Sequence, residues 1–127
     1  MRPEILDTPQ VPTGNATYSQ VVRMGGLLFV SGQLGIEPAT GQLRAGGQVA
    51  EYEQALENVK VILEAAGSGL ELVGKTTIYM TNVDELAALN AVYARYFPHR
   101  PAKTGVEVKR LSGGALIEIE VVAAAQR

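Results

Sequence analysis

Between Leu116 and Ala124 the chain alternates two kinds of side chain. Ile117, Ile119, Val121 and Ala123 occupy every second position, and Leu116, Glu118, Glu120 and Val122 fall between them. Successive side chains of a strand point to opposite faces, so this run is a strand with one wholly apolar face. Such a face must be covered, and two upstream segments can cover it. In Val49 to Ala66, the residues Tyr52, Ala55, Leu56, Val59, Leu63 and Ala66 recur at spacings of three and four, while Glu51, Glu53, Glu57, Lys60 and Glu64 take the remainder. Gly67 follows directly and suits a left-handed cap. The second helix is predicted from about Asp84 to Phe97, with Leu86, Leu89, Tyr93 and Tyr96 or Phe97 as its stripe. Asn82 or Asp84 caps its start, and Pro98 stops it.

The other strands are shorter. Tyr18 to Arg23 and Leu27 to Ser31 flank Gly25-Gly26, a hairpin signal because both turn residues can adopt positive φ. Pro38 to Gly47 reads as a surface loop. Lys75 to Thr81 is a strand with Ile78 and Met80 on one face and Thr77 and Tyr79 on the other. In Lys103 to Lys109, Thr104, Val106 and Val108 alternate against Lys103, Gly105, Glu107 and Lys109. The order is β-β-α-β-α-β-β, an α+β layer with two helices packed on one face of a single sheet. The opposite face mixes carboxylates, lysines and aliphatics. With Leu116, Val122 and Phe29 exposed there, it is expected to be covered by another subunit rather than left as a plain solvated face. No repeat or linker divides the 127 residues, so one domain spans 1–127.

Composition narrows the chemistry. The chain has no cysteine, which excludes disulfides, thiolate nucleophiles and sulfur-ligated zinc. One histidine, His99, leaves no His cluster for a metal and no ordinary His-dependent triad. Eleven basic against thirteen acidic residues provide no field for gripping nucleic acid. The apolar run from Met24 to Val30 is far shorter than the roughly 20 residues that span a bilayer. Met1 to Asp7 lacks an apolar signal segment, so no membrane partner and a cytoplasmic location are expected.

Seven blocks, in order, resemble one family. They are Val30-Ser31-Gly32-Gln33-Leu34, Ala55-Leu56-Glu57-Asn58-Val59, Val73-Gly74-Lys75-Thr76-Thr77-Ile78-Tyr79, and Asn90-Ala91-Val92-Tyr93 with Tyr96-Phe97. Arg100-Pro101-Ala102, Val106-Glu107-Val108 with Arg110-Leu111, and Ile117-Glu118-Ile119-Glu120 complete the set. From Tyr18 to Ala124 the chain is similar to the RidA/YjgF-like reactive-intermediate deaminases, long labelled endoribonuclease L-PSP. The resemblance implies a chorismate-mutase-like subunit, a homotrimer with inward-facing sheets, and active clefts at the subunit boundaries. It implies hydrolysis of enamines and imines such as 2-aminoacrylate and 2-imino acids, formed by PLP-dependent dehydratases, to 2-keto acids and ammonia. No metal or organic cofactor is implied.

The family's cleft residues carry over one at a time. Tyr18 matches its early tyrosine, Ser31 and Gly32 its Ser-Gly-Gln turn, and Asn90 its helix asparagine. Glu118 matches the acid that activates water. The family's Pro-Ala-Arg, followed by Ser or Thr and often Cys, reads Pro101-Ala102-Lys103-Thr104-Gly105 here. Lys103 would hold the substrate carboxylate as a flexible point charge in place of arginine's rigid fork, and backbone near Gly32 and Gly105 would shape the pocket. Gly-Pro-Tyr of many members is Ala16-Thr17-Tyr18 in this chain.

Blander readings stand beside these. Glu118 could form an interface ion pair with Lys103 or Lys109, and Lys103 could simply snorkel. Glu120 reads as a carboxylate of an interface strand, Arg100 as a surface residue and His99 as a solvated loop residue. The Asn15-Ala16-Thr17 sequon matters only in a secreted protein. Gly46-Gly47 and Gly113-Gly114 read as turns. Two rival functions remain: a trimeric small-molecule-binding or regulatory protein that lost catalysis with the arginine, and a ribonuclease, which the charge and the lone histidine disfavour.

Overall fold

Alternation along the C-terminal strand sets the layers. In the computed structural model, which describes residues 1–14 and 16–126, Ile117, Ile119, Val121 and Ala123 are all buried. Glu118, Glu120 and Val122 between them are half-buried. The elements are β1 (Glu4–Ile5), β2 (Val21–Met24), β3 (Leu27–Leu34), α1 (Gln48–Ala65), β4 (Val73–Met80), α2 (Leu86–Tyr96), β5 (Ala102–Glu107) and β6 (Ile117–Ala124). One six-stranded sheet runs β1-β2-β3-β6-β4-β5, antiparallel except for the parallel pair β4 and β5. This is the expected α+β layer, with a short extra strand, β1, ahead of the hairpin.

Both helices lie on the apolar side. From α1, Tyr52, Ala55, Leu56, Val59, Ile62 and Leu63 enter the core, and from α2, Leu89, Val92 and Tyr93, with Phe97 just beyond. Each fully buried large side chain contributes about 1.5–3 kcal/mol. Gly67 takes φ 84° after α1, and the Gly67 and Ser68 amides donate to Glu64 and Leu63 carbonyls, closing a Schellman cap. Asn82 accepts from the Asp84 amide at 3.0 Å, capping a short 3₁₀ turn, Val83–Glu85, that leads into α2. The helix stops ahead of Pro98.

Several expectations shift. Tyr18 lies in a loop, because β2 begins only at Val21. The hairpin turn needs positive φ at Gly25 alone, the pattern of a type II′ turn. Leu86 is exposed although the stripe placed it inside, since the 3₁₀ turn rotates the start of α2 away from the core. Glu51 is buried, because its Oε1 accepts from the Leu116 amide at 2.9 Å. On the outer sheet face Phe29 is 40% exposed, whereas Leu116 and Val122 are half-buried by neighbouring strands.

Candidate active site

The Glu118 side of the site is assembled by a bulge. The β3–β6 register slips between Val30 and Gln33, which brings Gly32 against Glu118. A Cβ on Gly32 would lie 2.7 Å from the Glu118 Cδ, so the carboxylate rests directly on bare backbone. The neighbouring Ser31 hydroxyl donates to the Ser19 carbonyl at 2.6 Å, and its amide donates to the Gln20 carbonyl at 2.8 Å. Gln20 in turn holds the N-terminal segment through the Thr8 amide and the Thr8 and Val11 carbonyls. Tyr18 folds over Gly14. Together Gly14, Tyr18, Gly32, Leu34, Ile36 and Asn58 border a pocket of about 250 Å³. Asn58 fixes its wall by donating to the Leu34 and Ile36 carbonyls at 3.3 and 2.8 Å.

Glu118 meets that pocket through Gly32, which lines it. Glu118 and Glu120 point to the same outer face, opposite Tyr79 and Thr77 of β4. The Tyr79 hydroxyl donates to Glu120. Burial, reinforced by the Glu120 charge, raises the Glu118 carboxyl above the ordinary carboxylate range. A carboxyl poised this way is a better proton acceptor when ionised.

Lys103, Asn90 and Gly105 line a second pocket of about 280 Å³ between α2 and β5. Lys103 Nζ donates to Asn90 Oδ1 at 2.8 Å and lies 4.8 Å from the centre of the Tyr93 ring. The Tyr93 hydroxyl is tied to Thr76 at 2.8 Å, which keeps that ring in place. Desolvation lowers the Lys103 pKa.

The predicted residues therefore separate. Glu118, with Gly32 against it, points to one face of the sheet, and Lys103, with Asn90 and Gly105, to the other. Tyr18 lies in the loop ahead of β2. Cross-strand partners share a face, and Lys103 is opposite buried Thr76, whereas Glu118 is opposite Tyr79. Lys103 belongs to the helix side, and the mixed face carries Thr104 and Val106 instead. Lys75 reaches that outer face, donating to Thr104 at 2.7 Å. Within one subunit Lys103 therefore bonds to Asn90 and does not meet Glu118. Among the described residues, the ion pair present is Arg95 with Glu53 at 2.9 Å. His99 is exposed, with Nε2 2.8 Å from the Val73 carbonyl, and Arg100 is exposed at φ 60°. Asn15 of the sequon lies outside the described residues.

The sequence model of a family described as endoribonuclease L-PSP matches residues 8–125. A RutC family protein of Pyrococcus horikoshii is 43% identical over 121 residues, covering 94% of this chain and 96% of that one. A goat (Capra hircus) protein named 2-iminobutanoate/2-iminopropanoate deaminase is 40% identical, over 94% of this chain and 88% of its own. The crystal structure of RidA from an Antarctic Psychrobacter superposes with a TM-score of 0.90 at 38% identity, covering 95% and 98% of the two chains. The chain belongs to the RidA family.

Within this RidA-family chain, several residues around the pockets escaped the sequence. Asn58 was visible only as part of a motif block, yet its two bonds shape the first pocket. Met80, Val83 and Leu86 line the second. Val83 and Leu86 are large apolar residues left exposed, and helical periodicity alone assigned Leu86 to the core. Tyr79 was visible as a motif-block residue on the outer face of its strand, but its bond to Glu120 depends on the register of β4 against β6.

Proposed function

We propose that this chain hydrolyses reactive enamines and imines of 2-amino acids, giving 2-oxo acids and ammonia. The observation that carries the reading is the Glu118 carboxylate seated on the Gly32 backbone beside a pocket, its pKa raised. Relatives named as 2-iminobutanoate/2-iminopropanoate deaminases, 36–40% identical to this chain, support it.

In this mechanism Lys103 neutralises the substrate carboxylate, and ionised Glu118 takes a proton from water as its oxygen bonds to the imine carbon. The C=N π pair moves to nitrogen, which gains a proton. The C–N bond of the resulting carbinolamine then breaks, ammonia leaves, and a carbonyl forms. An enamine first takes a proton at carbon to become the imine. Lysine offers one point of attachment where arginine would offer two, so orientation rests more on the pocket walls.

Because the two halves lie on opposite faces of one sheet, a complete site needs a second copy. A homotrimer with sheets facing inward would supply the Glu118 side from one subunit and the Lys103 side from its neighbour. Exposed apolar side chains on the outer face, Leu27 at 45%, Phe29 at 40% and Val106 at 41%, support such a covered face.

The test is clearance of 2-iminobutanoate and 2-iminopropanoate, generated in situ by an amino-acid oxidase, against semicarbazide trapping. Wild type is expected to outcompete the trap, and Glu118→Ala is not. Clearance by neither protein, or by both equally, refutes the assignment. If only Lys103→Arg works, the scaffold is a deaminase whose lysine serves another ligand. Ligand-induced stabilisation without turnover would then favour a binding or regulatory role.

A further inference from the structure

The pocket holding Lys103 has a direction. Asn90, bonded to Lys103, marks one end, and the other end is marked by Glu107, whose Oε1 accepts from the Val83 amide at 3.0 Å. Lys103 and Glu107 are four residues apart on β5, about 13 Å at about 3.3 Å per residue. Along α2, Leu86 lies one turn before Asn90 on the same face. The groove between helix and edge strand is thus cationic at one end and lined by Leu86, Val83 and Met80 toward the other.

Gly105 lies halfway along. Its side-chain direction is that of Lys103 and Glu107, into the groove, so the absence of a side chain leaves the floor open. The Met80 methyl occupies the space beneath, 3.2 Å from where a Cβ would stand. A methionine methyl on a flexible thioether gives way easily, so the floor can adapt to what enters. The 3₁₀ turn at the start of α2 leaves Val83 and Leu86 exposed beside it, where they face the groove.

We propose that this groove is the substrate's side-chain site, and that it selects 2-imino acids with extended apolar side chains, of the size of leucine or methionine, over those derived from alanine. The proposal rests on the imine-deaminase reading above. With the carboxylate on Lys103, an alanine-sized methyl stops short of Leu86 and Val83. A four-carbon branched or thioether chain reaches them over Gly105. Glu107 at the far end disfavours an acidic side chain.

The experiment compares kcat/KM for imines made in situ by amino-acid oxidases from leucine, methionine and alanine. It also compares binding of 4-methyl-2-oxopentanoate with that of 2-oxopropanoate. One methylene in an apolar pocket discriminates by about ten-fold or more, so the larger imines are expected to exceed 2-iminopropanoate at least ten-fold. Gly105→Val, which fills the floor, and Leu86→Ser, which removes an exposed wall, are each expected to reduce that ratio at least five-fold. Leu86 is exposed and its loss leaves the core intact, whereas valine at 105 presses on the buried Met80 methyl, so thermal unfolding of both variants is measured alongside. Equal or lower kcat/KM for the larger imines overturns this proposal and leaves the deaminase reading standing. If no imine is cleared, the deaminase reading falls, and equal binding of the two oxo acids overturns the groove assignment separately.

Discussion

Replacing Gly32 by alanine puts a methyl group where the Glu118 carboxylate now sits. The new Cβ would be 2.7 Å from Cδ and 3.0 Å from Cγ of Glu118. Ordinary contact is about 3.5 Å, and Oε2 would lie nearer still than Cδ, so the carboxylate has to retreat by more than about 1 Å. The obstacle is the far end of one side chain, and Gly32 does not have the positive φ that penalises alanine. The fold should absorb the change, with a melting temperature within a few degrees of wild type. The chemistry should not, since displacing a catalytic group by about 1 Å costs on the order of 100-fold. Gly35 gives the contrast. A Cβ there would lie 2.6 Å from Cα and 2.8 Å from the carbonyl carbon of Glu51, so α1 itself must move. Overpacking of that kind costs about 1–3 kcal/mol. Imine clearance and thermal unfolding of Gly32→Ala and Gly35→Ala, run together, separate the two roles. Gly32→Ala with wild-type kcat/KM, beside an inactive Glu118→Ala, would refute the idea that Gly32 seats the carboxylate.

Three further outcomes are expected. The rising limb of kcat/KM against pH reflects ionisation of Glu118, and Glu120→Gln should move it to lower pH by removing one of the two causes that raise that carboxyl; an unmoved limb would show that Glu120 does not act on it. The folded protein holds the Glu118 proton more tightly than the unfolded chain does. Stability contributed there therefore falls as pH rises from the ordinary carboxylate value through the raised one. Above that window Glu118→Gln should resist denaturant better than wild type, and below it the two should coincide. Lys103→Ala removes a charged hydrogen-bond donor worth about 1.5–3 kcal/mol and should lower kcat/KM by about 10–100-fold. A smaller loss, measured by imine clearance, would mean that the carboxylate is held elsewhere. Phe29→Asp places a charge on the outer sheet face, and light scattering should report a smaller assembly than for wild type. An unchanged mass would remove that face from the interface.

Local signals were enough for the elements. The spacing of apolar residues in α1, the Gly67 cap, the Asn82 cap and the alternation of β6 each depend on neighbours within a few positions, and the sequence displays them. It also displayed Gly32 and Glu118 as motif residues. It could not display their contact, because that contact depends on a bulge whose partner strand lies some 85 positions away in the chain.

What the sequence determined by itself is which residues of a strand share a face, since the pleat fixes a period of two. It did not determine which face of β5 meets the helices. All six residues of that edge strand are exposed, so no burial pattern marks its inner side. Only the pairing of Lys103 with Thr76 decides it, and that pairing puts Lys103 across the sheet from Glu118. Registry between distant strands is set by the summed packing of the whole layer, and so the division of the site between two faces belongs to the tertiary structure alone.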